Sequence, residues 1–306
     1  MAHHKHIIDI VMVTYNQEQF IEKAINSVLS QETNFNFRLI IGDDCSTDRT
    51  TSICEKYANN FPDKILLLKS DINKGIIRNY LRCFDECSAE YICILEGDDY
   101  WIDNLKIEDQ ATFLNINDKI GLVHSNYTMY KEEEKQYKKT NNNLVKYCLI
   151  NQGYIYRKLI QNNFICPLTV MFRKCFLDHI DFSFLLENDV KTIDYFLWLN
   201  IALNSQIFYE NKTYGVYRIS GSSISNNHSF EKRIKFTETK TKILNYYIEK
   251  YPLEGLSKIQ VKNNSDMSLL LRAIKTLNFK YIVLYSKDIS IPVIFSTIKN
   301  YFKFYR

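Results

Sequence analysis

The stretch Tyr91-Ile92-Cys93-Ile94-Leu95-Glu96-Gly97-Asp98-Asp99-Tyr100-Trp101 is a short apolar run that ends in clustered carboxylates. Such a run reads as a strand buried on both faces, the mark of a parallel sheet. Its carboxylates then emerge at the strand's carboxyl end, where open α/β sheets bind ligands. The pattern occurs a second time in Leu39-Ile40-Ile41-Gly42-Asp43-Asp44-Cys45-Ser46-Thr47-Asp48. Carboxylates gathered at one edge repel one another. A divalent cation with a phosphorylated ligand is the natural compensation.

Outward from these two stretches, strands alternate with helices. Ile7–Val13 reads as a strand, Thr14-Tyr15-Asn16 as the turn after it, and Gln17–Ser30 as a helix with Phe20, Ile21, Ala24, Ile25, Val28 and Leu29 on one face. Arg38–Ile41 and Ile65–Leu68 read as further strands, each with a helix behind it. Asp48 is placed to cap the first of these helices, and Asp43 to shape the turn before it. The alternation predicts a doubly wound α/β sheet, mostly parallel and flanked by helices. Right-handed crossovers put both acidic clusters and Thr14-Tyr15-Asn16 on one edge. Beyond about residue 120 the pattern weakens. Ile120–Tyr127, Leu168–Phe172 and Tyr214–Arg218 read as strands, Lys131–Asn143 as a polar loop, and Ile193–Leu203 as a helix.

The chain has 306 residues, 46% hydrophobic, enough for one large domain and an appendage. Residues 226–306 carry 15 basic and 6 acidic side chains, whereas 1–225 carry 24 and 29. The acidic body suits a metal site and the basic tail an anionic surface. Eight cysteines occur with no CxxC pair, which argues against a zinc ribbon and for reduced, buried thiols in a cytoplasmic setting. His3-His4-Lys5-His6 leads into the first strand without a signal-peptide pattern, and no apolar stretch reaches the length of a membrane span.

Val11-Met12-Val13-Thr14-Tyr15-Asn16, Asp43-Asp44-Cys45-Ser46-Thr47-Asp48 and Leu95-Glu96-Gly97-Asp98-Asp99-Tyr100-Trp101 together resemble the family 2 glycosyltransferases with the GT-A fold, over roughly residues 7–225. The resemblance implies a transferase domain over 1–225, with a nucleotide-binding half (1–120) and an acceptor half (121–225), followed by a basic helical extension (226–306). It implies a metal-dependent, inverting transfer of a hexosyl or N-acetylhexosaminyl group. The donor is a nucleotide-diphospho-sugar, UDP-linked by preference. The acceptor is a hydroxyl of a saccharide or lipid-linked substrate in cell-surface glycan synthesis, and no nucleic-acid partner is expected.

By the same resemblance, Asp44 accepts a hydrogen bond from the base, Tyr15 brackets that base, and Thr14 and Asn16 complete the loop. Arg78, in Arg78-Asn79, reaches the base or diphosphate. Asp99 is the leading Mg²⁺ or Mn²⁺ ligand, Asp98 a ribose or metal contact, and Glu96 stands where an aspartate is common. Asp194, opening the helix after the acceptor segment, resembles the base that deprotonates the acceptor, with Asp178, Asp181, Glu187 and Asp189 as nearby rivals. Arg218, in Tyr217-Arg218, resembles an arginine near the leaving diphosphate. Ser220 stands where the family often has a histidine, which leaves His228 as a distant substitute.

Other readings remain open at this point. A sugar-nucleotide nucleotidyltransferase would carry a glycine-rich phosphate loop after its first strand, but Thr14-Tyr15-Asn16-Gln17 follows instead. A dinucleotide-dependent dehydrogenase would carry GxGxxG, which the eight glycines do not form. A non-catalytic binding module with a degenerate transferase fold is distinguished only by turnover. The segment Ile291–Arg306 has apolar and basic residues at helical spacing. It fits packing against the chain, association with a second copy, or peripheral contact with an anionic membrane at the inner face of the plasma membrane.

Overall fold

The computed structural model describes residues 7–140, 142–220 and 229–286. The chain forms two compact units: Met1–Glu187 with Lys191–Ile219, and Asn188–Val190 with Ser220–Arg306. The expected boundary at 225/226, together with His228 and Ile291–Arg306, lies outside the described residues.

The larger unit begins with the expected alternation: β1 (Ile8–Thr14), α1 (Ile21–Leu29), β2 (Phe37–Asp43), α2 (Thr50–Asn60), β3 (Ile65–Lys69), α3 (Ile76–Asp85) and β4 (Tyr91–Ile94). Every residue of β1 and β4 is buried, as their continuous apolar runs require. β1 pairs in parallel with β2 and β4, and β2 with β3. Burial of these strands against α1 and α4 (Lys106–Asn115) builds the main apolar core, which includes Ile10, Met12, Ile25, Leu39, Cys93 and Ile107. Fully burying each large aliphatic side chain is worth about 1.5–3 kcal/mol.

The second half adds β5 (Tyr100–Trp101), β6 (Ile120–Lys131), β7 (Gln136–Lys139), α5 (Asn142–Ile150), α6 (Tyr156–Gln161), β8 (Met171–Arg173), α7 (Ser183–Glu187), α8 (Asp194–Asn204) and β9 (Gln206–Ile219). The nine-stranded sheet runs β3-β2-β1-β4-β8-β6-β9-β5, with β7 on β6. Here the pairing is mixed. β8 runs antiparallel to both β4 and β6, β5 antiparallel to β9, and β6 parallel to β9.

Three expectations need correction. Lys131–Asn143 is not a loop: β6 continues to Lys131, turns through Lys135 in the left-handed region (φ 48°), and returns as β7. All four residues of β7 are exposed and carry no apolar periodicity; the hairpin is held by its ladder and by Tyr137, whose ring lies 4.7 Å from that of Tyr130 and whose hydroxyl meets Tyr100 OH at 3.0 Å. The strand expected over Leu168–Phe172 starts later, because Pro167–Thr169 forms a 3-10 turn ahead of β8. The closing strand is longer than Tyr214–Arg218, since it pairs along almost the whole of β6.

The smaller unit contains α9 (Phe230–Lys250), α10 (Lys258–Lys275) and α11 (Phe279–Ser286). Its core is formed by Phe230, Leu269, Ala273 and Tyr281. Among the described residues no helix is long and apolar enough to cross a membrane.

Candidate active site

The sheet brings the carboxyl ends of β2, β1 and β4 side by side, and the backbone ladder continues past them. Thr14 lies opposite Asp43, the Asp44 N–H donates to Thr14 O (3.1 Å), and the Gly97 N–H donates to Val13 O (3.1 Å). Asp44 and Asp98 therefore share one edge with β1 between them. Strands are spaced by about 4.8 Å, so the two clusters stand within the reach of one nucleotide. Gly97 permits this approach: a Cβ there would lie 2.5 Å from Gln17 Oε1 and 2.9 Å from Thr14 Oγ1.

On the β1–β2 side, two loops are stitched together by side chains. Asn16 adopts φ 52°, its N–H donates to Ser46 Oγ (2.9 Å), and its Oδ1 accepts from the Thr47 N–H (2.7 Å). Asparagine tolerates this backbone region better than most residues. Asp43 accepts from Ser46 Oγ and Thr51 Oγ1, both at 2.5 Å, which is the turn-shaping role expected of it. Asp48 accepts from the N–H groups of Thr50 (2.9 Å) and Glu18 (3.1 Å). Burial opposes its charge, but those bonds hold its carboxyl below the usual carboxylate range. It thus caps the start of α2 and anchors the first loop. Thr14 is buried and donates to Gln17 Oε1 at 2.7 Å.

Asp44 is buried and holds a third loop: its two oxygens accept from the N–H groups of Lys74 and Gly75, each at 2.8 Å. Each carboxylate oxygen has two lone pairs, so acceptor capacity remains. Tyr15 projects beside this framework with 46% of its surface exposed. Arg78 is exposed on the first turn of α3, while its neighbour Asn79 is buried and donates to Gly42 O (2.7 Å).

On the β4 side the carboxylates of Glu96, Asp98, Asp99 and Asp194 influence one another. Burial, then the charge of Asp98, raises Glu96 to about 7, although Tyr80 donates to it at 2.8 Å. The charge of Asp194, at the start of α8, adds to the same rise. Burial raises Asp98, with Arg218 opposing. Burial, then Asp98 and Glu96, raises Asp99 well above its ordinary value. Burial also raises Asp194, against hydrogen bonds from Thr192 and Asn163. A cation arriving among these carboxylates would favour their ionised forms and offset the burial and repulsion that raise them.

Asp99 is fully enclosed, and its Oδ1 accepts the Arg218 N–H at 2.7 Å, which commits one oxygen to the protein. Glu96 and Asp98 are partly exposed. Among the described residues no group of three or more His, Cys, Asp or Glu forms a ready metal cage. The oxygen donor set still fits Mg²⁺ or Mn²⁺, which bind through one or two carboxylates and take further ligands from substrate phosphates.

Arg218 is buried rather than projecting. Its Nε donates to Asp98 O (2.8 Å), its Nη1 pairs with Glu132, and its guanidinium packs over the rings of Phe20, Tyr100 and Tyr130. The group expected at the diphosphate thus braces the Asp98-Asp99 turn. Asp194 opens α8, whose Tyr195–Leu199 stretch is buried, and it accepts from Thr192 Oγ1. Its rivals Asp178 and Asp181 are engaged locally, with Lys174 (2.6 Å) and the Ser183 N–H (2.9 Å). The sequence reading missed Tyr80, Glu132, Asn163 and Thr192. Tyr80 alone left a signal, since it follows Arg78-Asn79 on α3, the helix packed on β1 and β2.

The profile of Glycosyl transferase family 2 matches residues 9–180. Over 260 residues the chain is 29% identical to the UDP-Glc:alpha-D-GlcNAc-diphosphoundecaprenol beta-1,3-glucosyltransferase WfgD of Escherichia coli, covering 83% of this chain and 95% of that one. An uncharacterised protein of Mycobacterium tuberculosis is 28% identical over 234 residues, or 76% of this chain, which spans 64% of that relative's length. The fold resembles that of the mannosyltransferase PcManGT from Pyrobaculum calidifontis in complex with GDP-Man and Mn2+, with TM-score 0.58 and 13% identity over 97% of this chain and 80% of that one.

Proposed function

Because this chain belongs to Glycosyl transferase family 2, we propose that it moves a glycosyl group from a nucleoside-diphosphate sugar to an acceptor hydroxyl, with inversion at the anomeric carbon. The observation that carries this reading is that the Asp44 loop and the Glu96-Gly97-Asp98-Asp99 loop leave strands on either side of β1 at one edge of the sheet, tied to it by the Asp44 N–H on Thr14 O and the Gly97 N–H on Val13 O. A UDP-sugar is the preferred donor and a saccharide or lipid-linked hydroxyl the acceptor, supported by the glucosyltransferase activity for which the Escherichia coli relative is named. Divalent-metal dependence is supported by the oxygen donor set and by Mn2+ in the Pyrobaculum structure.

In this mechanism Tyr15 offers its exposed ring to the base, and Asp44 accepts from a base N–H while it holds the loop at Lys74-Gly75. Thr14 and Asn16 keep the loop beneath the base in shape. Arg78 supplies a guanidinium from the rim of α3. Asp98, with Glu96, is the leading metal ligand, and Asp99 lends its second oxygen. A bound divalent ion supplies Lewis-acid stabilisation of charge on the departing diphosphate. Asp194 takes the proton of the acceptor hydroxyl as the acceptor oxygen bonds to the anomeric carbon from the face opposite the diphosphate. The bond from that carbon to the diphosphate oxygen breaks with its electron pair leaving on the nucleoside diphosphate. Burial raises the proton affinity of Asp194, which strengthens it as a base.

A panel of nucleotide-sugars, titrated with Mn²⁺ and again with chelator, tests the assignment. Asp98→Asn is expected to lose metal-dependent binding. Asp194→Asn is expected to bind donor normally and to lose transfer by about 10²–10⁴-fold. Near-normal transfer by Asp194→Asn removes it as the base, and failure of every donor to bind with metal removes the transferase reading.

A further inference from the structure

In the C-terminal unit, α11 packs inward through Tyr281, Ile282 and Tyr285, with the Tyr281 ring stacked on Phe230 at 4.1 Å. The opposite face presents Phe279, 74% exposed, and Val283, 60% exposed, with Leu284 at 50% beside them. Leu277, in the turn just before, is 72% exposed. Arg272, Lys275 and Lys280 are exposed along the same stretch of chain, with Lys280 Nζ 5.3 Å from the centre of the Tyr281 ring, and no Asp or Glu occurs between Met267 and Ser286. The nearby acids act on the inward side: Glu231 accepts from Tyr281 OH (2.8 Å), and Asp266 and Glu238 act on Tyr285. Of the three cations, Lys280 also feels Glu231.

Leu277 adds an independent observation. It has φ 52°, and the turn is closed by the Leu277 N–H on Ile274 O (3.1 Å) and the Asn278 N–H on Ala273 O (2.9 Å). This is the helix-ending pattern whose left-handed position glycine normally fills. A leucine there is disfavoured by its Cβ, and an exposed leucine returns little packing. An unfavourable backbone that displays a bulky apolar side chain points to use outside the unit's own fold.

We propose that this corner, made of Leu277, the outer face of α11 and the cations Arg272, Lys275 and Lys280, inserts into the interface of an anionic phospholipid bilayer. Bulky apolar groups flanked by cations, without carboxylates, match a surface that is negative at the headgroups and apolar below them. No described helix can span, so the contact is peripheral. The inference goes beyond the transferase reading and stands without it.

The test is co-sedimentation of the full chain with vesicles of phosphatidylglycerol and phosphatidylethanolamine, and separately with phosphatidylcholine, at low and high salt. Binding is expected to the anionic vesicles only, and to weaken with salt. Leu277→Gly suits the backbone, so it is expected to preserve helicity and thermal stability while lowering vesicle affinity by roughly tenfold. Phe279→Ser is expected to act in the same direction. Lys275→Glu with Lys280→Glu is expected to lower it by more than roughly fivefold per charge. No binding by the unaltered chain, or unchanged binding by Leu277→Gly, overturns the proposal. So does a self-associated form that Phe279→Ser dissociates while vesicle binding stays absent, which makes the corner an interface between copies.

Discussion

Arg218 shows most sharply what one residue does for the acidic cluster. Its backbone N–H fixes Asp99, its Nε fixes the carbonyl of Asp98, and its charge rests on Glu132 and three aromatic rings. Lysine keeps the charge but lacks the planar fork that serves two acceptors while lying on aromatic faces. Arg218→Lys is therefore expected to destabilise the protein by about 1–3 kcal/mol in urea unfolding, and to lower transfer more than it weakens acceptor binding. Glu132→Gln retains an acceptor for Nη1 and is expected to lose less on both counts. The sequence shows the Asp98-Asp99 pair at once, because it follows a buried strand. It does not show Glu132, which stands 86 residues from Arg218 and meets it only through the pairing of β6 with β9.

Among elements, β1 is fastened by more than its ladder. Asp9 is fully buried, pairs with Arg38 at 3.0 Å, and accepts from the N–H groups of Ser88 (2.7 Å) and Ala89 (2.9 Å), the residues that lead into β4. Asp9→Ala leaves the Ser88 and Ala89 N–H groups without this acceptor and Arg38 without its ion-pair partner, and is expected to cost about 3–5 kcal/mol, read from the urea midpoint. In β6, His124 lies between the rings of Phe164 and Tyr209, and burial pushes its imidazole down to about 3. The unfolded chain binds this proton at a higher pH than the folded one, so its neutral burial supports the fold above about pH 6.5. That support is lost as pH falls toward 3. The loss is expected to reach about 2 kcal/mol by pH 5, and His124→Leu is expected to flatten the acid limb of a Tm-versus-pH curve. The parallel strands were legible because each is a contiguous apolar run. The β6–β7 hairpin was not, because an exposed strand has no apolar stripe to reveal its period.

For the molecule as a whole, the proposed donor and metal would stabilise the folded chain, because the unfolded chain lacks the site they need. At about 100 times its dissociation constant, the metal-loaded donor is expected to add about 2.7 kcal/mol of stability, seen as a raised Tm that chelator reverses. A Tm indifferent to chelator removes the ion from donor binding. The sequence by itself determined the alternating strands and helices of the first half and the edge on which Thr14, Asp44 and Asp98 meet. Both are local: periodicity lies within each segment, and crossover handedness fixes the side on which loops emerge. Only the tertiary structure decided that Asp44 holds the loop at Lys74-Gly75, that Arg218 braces the Asp98-Asp99 turn, and that Tyr80 donates to Glu96. Those contacts join residues distant along the chain, and they depend on strand order, register and helix placement, which no single segment's pattern encodes.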